Sequence, residues 1–302
     1  MALLAPMLVF AGGCASLAPL IGGGKVDEPV ADESLTRVVS ELKLHLKDDT
    51  YRYDRAVAND GRNVYAVALW KLDRLAQQRQ KPQAEWENAD FVIEFARGKA
   101  LERLRRYDEA LAAFRRVAAS GSLLGDAATE RAGVLESLAV AAAPPDAPFA
   151  NPEEERAFID GKIDRWRRLA EELANTAHEP LALEEVESWQ VMRVDWFARN
   201  DKLADAITAC ERLIENNRDS KLYAKHLLRL GDLYAASARR ASLQARANLA
   251  NLDPAQYETL LDQAFSAYEL AAEDRRPALR KEARNRIEAL LAYHEGAAAR
   301  VP

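Results

Sequence analysis

Four histidines and two cysteines are the residues best equipped for metal binding or nucleophilic attack, and their spacing points to neither. His45, His178, His226 and His294 stand far apart. His178-Glu179 and His294-Glu295 lack the second histidine, one turn further along, that a zinc-binding helix presents. Cys210 has no histidine close in sequence and falls on an apolar helical stripe, so it reads as an inert buried thiol. A glycine-rich phosphate loop, a serine elbow and a dinucleotide fingerprint are missing. Acid pairs such as Glu171-Glu172 and Glu184-Glu185 abound, but on long helices such pairs form solvated faces. No catalytic residue, metal or cofactor is expected.

Basic residues gather in two places. Arg97, Lys99, Arg103, Arg105 and Arg106 form one cluster; Arg275, Arg276, Arg280, Lys281, Arg284 and Arg286 form the other. The 302 residues carry 42 Lys and Arg against 48 Asp and Glu, a net charge of −6, so nucleic acid is not an expected partner. The clusters read either as solvated faces with partners such as Glu282 and Glu288 at helical spacing, or as docking surfaces for acidic peptides or anionic head groups.

These groups must be positioned by helices. Only 13 Gly and 12 Pro interrupt a chain rich in Ala, Leu, Arg and Glu. Apolar residues recur at three- and four-residue spacing: Leu35, Val38, Val39, Leu42, Leu46; then Val64, Val67, Ala68, Leu72, Leu75; then Phe158, Ile159, Ile163, Trp166, Ala170, Leu173. No sustained period-two alternation competes with them. Asn151-Pro152-Glu153-Glu154 and Asp253-Pro254-Ala255-Gln256 carry helix-start signals. Ala143-Pro144-Pro145-Asp146-Ala147-Pro148 cannot continue a helix and is the expected subdomain boundary, dividing 34–143 from 144–302.

The first 24 residues carry no charge. Leu3, Leu4, Met7, Leu8, Val9 and Phe10 form an apolar run too short to span a bilayer and of the length of a signal-peptide core. Ala11-Gly12-Gly13-Cys14 resembles the lipobox of bacterial lipoproteins. That resemblance implies cleavage after residue 13 and a lipid on Cys14. The family's three acyl chains would anchor the chain firmly. Ala15 and Ser16, with no Asp after the cysteine, imply the outer membrane, facing the periplasm. Residues 14–33 then serve as a flexible tether.

The segment FVIEFARGKALERLRRYDEALAAFRRVAA, from Phe91, resembles a tetratricopeptide repeat, a helix–turn–helix unit of 34 residues. Gly98, Leu101, Ala110, Phe114 and Val117 fall on the family's small, large, Ala, aromatic and small positions. Weaker copies cover 187–220, with Val194, Phe197, Ala206, Cys210 and Leu213, and 224–277, with Leu230, Gly231 and Tyr234. The second helix of that last copy arrives late, at Ala264, Tyr268 and Ala271, and a closing helix follows over 280–293. The resemblance implies an all-α solenoid of antiparallel helix pairs, in which 91–124 is the first recognisable unit. Each pair buries its apolar side only by stacking on the next.

In this family the first helices of successive units line a groove for protein or peptide partners. Carried over, the groove positions are Val92, Phe95, Lys99, Glu102 and Arg103, then Val191, Asp195 and Arg199, then Lys225, Leu228 and Asp232. Apolar anchors beside charges suit an extended or helical peptide. The resemblance therefore implies an envelope interaction scaffold whose partners are a protein and, through Cys14, the membrane. Two other classes stay open: a helical hydrolase of envelope polysaccharide, and a cytosolic co-chaperone. A hydrolase would need facing carboxylates in an aromatic-lined pocket.

Overall fold

A computed structural model describes residues 35–48, 62–220, 222–247 and 253–298. Cys14, the signal-peptide reading and the tether lie outside the described residues. Residues from Leu35 onward form one compact unit.

Among the described residues there are eleven α-helices, one 3-10 turn at Gln83–Glu85 and no strand. The helices are α1 (Leu35–Asp48), α2 (Val64–Arg79), α3 (Asn88–Arg103), α4 (Tyr107–Ala118), α5 (Gly125–Ala142), α6 (Pro152–Glu172), α7 (Glu179–Arg199), α8 (Leu203–Asn216), α9 (Tyr223–Ala247), α10 (Pro254–Ala272) and α11 (Pro277–Ala298). Apart from α1 on α3 and α9 on α11, every substantial contact joins consecutive helices. The result is an all-α, solenoid-like stack.

Helix starts follow the local chemistry. The Asn151 side chain accepts from the Glu154 backbone N–H at 2.9 Å, and Pro152 follows it where the missing N–H costs nothing. Asp253 accepts from Ala255 at 3.0 Å and Gln256 at 3.3 Å, which starts α10 as expected. Asn63 caps α2 in the same way.

Two helix hairpins share one turn. Arg105 and Asp201 are both left-handed, with φ of 61° and 62°. Arg106 N–H returns to the Leu101 carbonyl at 3.0 Å, and Lys202 N–H to Phe197 at 2.9 Å. Ala110 N–H then bonds Arg106, and Ala206 bonds Lys202, opening α4 and α8 identically. The offset between these turns equals that between the segments starting at Phe91 and Glu187.

Three apolar cores follow one another along the stack. The first joins α1–α5 to one end of α6 and α7, from Val38 to Val186. The second joins the other end of α6 and α7 to α8, through Ile159, Ile163, Trp196 and Cys210. The third joins α9, α10 and α11. The proline loop at 143–148 is thus a break in the backbone and not in the core, because Trp166, Leu169 and Ala170 from beyond it pack with α3–α5. Lys162 seals that junction. It is 3% exposed, and its ammonium donates to the Ala141 carbonyl at 2.6 Å and to that of Ala143, capping the carbonyl end of α5.

Candidate functional site

On α3, Phe95, Lys99 and Arg103 recur every four residues and so lie along one face. Phe95 meets the Phe114 ring edge-on, with centroids 5.1 Å apart. Phe114 in turn fills the space above Gly98, which brings α3 and α4 close. The Lys99 ammonium sits 5.3 Å from the Phe95 centroid, and the Arg103 guanidinium 6.0 Å from that of Tyr65 on α2. Both cations therefore lean on aromatic faces.

Further cations reach the same place from neighbouring helices. Burial, followed by the positive charges of Arg131, Arg103 and Lys43, holds the Lys99 ammonium below the usual lysine pKa, against the opposing pull of Glu102. Lys43 comes from α1 and Arg131 from α5. Neither was legible as a groove residue, because no repeat pattern marks α1 or α5.

Glu102 is turned inward, where it is almost fully buried. Its carboxylate accepts from Arg131 at 2.7 Å and lies 3.8 Å from His178 Nε2 at the start of α7. Arg131 Nη1 is also 3.4 Å from that ring nitrogen. Burial is the main reason that the His178 pKa is lowered, and Arg131 and Arg103 add to it. One carboxylate thus ties α3, α5 and α7 together.

The remaining groove positions divide between surface and structural roles. Val92 and Val191 are half-buried, and Lys225 is exposed. Asp195 on α7 accepts from Arg229 on α9 at 3.0 and 3.4 Å. Asp232 on α9 accepts from Arg286 on α11 at 2.9 Å and from the Tyr268 hydroxyl at 2.8 Å. Arg199 pairs with Glu155 on α6 at 3.0 Å. Leu228 corrects the sequence expectation. At 3% exposure it is part of the α9–α11 core, because α9 is flanked on two sides and buries a wider stripe than one groove-lining helix would.

A regular relation emerges that no linear spacing announced. Glu102–Arg131, Asp195–Arg229 and Asp232–Arg286 each link one odd-numbered helix to the next odd-numbered helix, with the acid always on the earlier one. The acid pair of α7 is likewise structural: Arg105 of the α3–α4 turn meets Glu184 at 3.0 Å and Glu185 at 2.7 Å. Glu187 on α7 and His226 on α9 form a fully buried pair at 2.7 Å.

Among the described residues, no group of three His, Cys, Asp or Glu could hold a metal ion, and no helix is long and apolar enough to cross a membrane. Cys210 is buried, with its thiol directed at the His226 carbonyl 3.7 Å away. Burial pushes that thiol up to about 12, far from a nucleophile's range. A cleft of about 500 Å³ among α6, α7 and α8 holds four arginines (156, 167, 193 and 212) and three aspartates (160, 164 and 205). No protein-family model matches this chain, and no curated protein matches it.

Proposed function

We propose that this chain is a lipid-anchored envelope scaffold that captures an acidic segment of a partner protein on the face shared by α1, α3 and α5. The observation carrying this reading is Lys99, seated over the half-buried ring of Phe95 and within the field of Arg131, Arg103 and Lys43. Lys99 feels the like charges of Arg131, Arg103 and Lys43 against the one opposing charge of Glu102, and among the described residues it has no carboxylate at ion-pair distance. A partner carboxylate arriving there would relieve that repulsion, and Phe95 would supply an apolar anchor. The tetratricopeptide pattern supports the same reading. Gly98 under Phe114 and Gly231 under Tyr268 are the small–aromatic contacts that the family's spacing implies.

Photo-cross-linking from position 92 in native membranes tests the face. A defined adduct is expected, and Lys99→Glu should abolish it through charge repulsion. An adduct unaffected by Lys99→Glu and Arg131→Glu together would remove the proposal. Anchoring is tested separately: Cys14→Ser should move the protein out of the membrane fraction, and unchanged partitioning would refute the lipoprotein reading.

A further inference from the structure

Six of the other helices, α3 to α8, carry acids in their first turn. Glu153, Glu154 and Glu155 open α6, and Asp108 and Glu109 open α4. They complement the positive end of the helix dipole. The start of α11, like those of α1, α2, α9 and α10, has no acid in its first turn, and Arg280, Lys281 and Arg284 follow within its first eight residues. Residues 273–286 hold six cations against three acids, in a chain of net charge −6.

Two of the six cations are engaged. Arg276 pairs with Asp274, and Arg286 with Asp232 and Glu282. Arg275, Arg280, Lys281 and Arg284 are exposed and, among the described residues, meet no carboxylate at ion-pair distance. At about 100° per residue, Arg280, Lys281 and Arg284 span roughly 100° of arc on the side of α11 opposite Leu279, Ala283 and Leu290. Further along the helix the same arc carries the exposed acids Glu288 and Glu295, so the cationic surface is confined to the first half of α11.

An exposed cation with no acid beside it adds little to the stability of the fold, so these four are available to an anion outside it. We infer that the exposed side of the first half of α11, with Arg275 just ahead of it, is a docking surface for an anionic lipid bilayer. The shape favours lipid over a protein partner. A specific protein interface needs a desolvated, concave or complementary centre. None of the clefts on α1–α2, α6–α8 or α10–α11 includes any of these four cations. They stand on long stems on the exposed side of the first half of α11, ahead of Glu288 and Glu295 on the same side, and long cationic stems of this kind reach anionic head groups. The surface belongs to α11 and does not depend on Cys14.

The full chain carrying Cys14→Ser should be sedimented with vesicles of phosphatidylcholine containing phosphatidylglycerol, and with phosphatidylcholine alone. The phosphatidylcholine arm measures any insertion by the apolar N-terminal residues. Binding is expected to rise with phosphatidylglycerol and to fall with salt. Replacing Arg280, Lys281 and Arg284 together with Glu should lower the phosphatidylglycerol-dependent binding by on the order of 100-fold, at about fivefold or more per cation. The same variant should melt close to the parent, since all three side chains are exposed. Lys99→Glu should leave vesicle binding unchanged, which separates this surface from the α1–α3–α5 face. Equal binding by parent and triple variant, or no dependence on phosphatidylglycerol or salt, would overturn the inference, including the case where the same cations hold an acidic protein.

Discussion

Gly231 on α9 lies so close to the Tyr268 ring on α10 that a β-carbon there would collide with the ring carbons. The ring cannot easily swing away, because its hydroxyl is held by Asp232 at 2.8 Å. Gly98 and Phe114 repeat the relation between α3 and α4, where a β-carbon would fall 2.8–3.0 Å from three ring atoms.

Glycine-to-alanine changes should therefore split by position. Gly98→Ala and Gly231→Ala should destabilise by about 1–3 kcal/mol through overpacking, despite the better helix propensity of Ala. Gly133→Ala in α5 and Gly161→Ala in α6 meet open space and should stabilise by about 0.5–1 kcal/mol. Urea denaturation of the four variants checks the sign at each site.

The links between odd-numbered helices should differ in worth by burial. The Glu102 side chain is 5% exposed and that of Asp195 is 48%. Arg131→Met takes a charged hydrogen bond from a buried carboxylate and should cost about 1.5–3 kcal/mol. Arg229→Met leaves a solvated one and should cost about 1 kcal/mol or less. Equal losses in equilibrium unfolding would contradict this ordering.

His178 should make the fold acid-sensitive. Its folded pKa lies below the ordinary 6.5, chiefly through burial. Between the folded and unfolded values, the unfolded chain binds more protons, so stability falls as pH drops below about 6.5 and recovers as it rises. Replacing His178 with Gln should flatten the slope of unfolding free energy against pH just below 6.5. The check is a series of denaturation curves on both proteins; parallel slopes would count against it.

Cys210 should be silent while the protein is folded. With Cys14 replaced by Ser, dithionitrobenzoate at pH 8 should find no reactive thiol in native buffer and one in denaturant, because burial holds the Cys210 thiol near 12. Rapid labelling of the native protein would show that the thiol is accessible.

The linear pattern carried the architecture a long way. Apolar period, proline placement and the caps at Asn151 and Asp253 announced helices and their starts. Local rules suffice there, since a cap or a stripe involves residues a few positions apart. Gly98, Phe114, Gly231 and Tyr268 stood out as repeat positions, while the seating of each ring over its glycine came from the crossing of the helices. The candidate face was legible in part: Phe95, Lys99 and Arg103 share one helix and one face.

Tertiary structure decided the rest. Whether an acid faces a groove or a neighbour depends on which helix lies beside it, and so Asp195 and Asp232 became ties between helices while Leu228 went inward. Lys43 and Arg131 joined the Lys99 group across a gap in sequence that no periodicity spans. The proline loop looked like a boundary because a chain break is a local event. The core runs past it because burial depends on what the helices touch, and α6 touches helices on both sides.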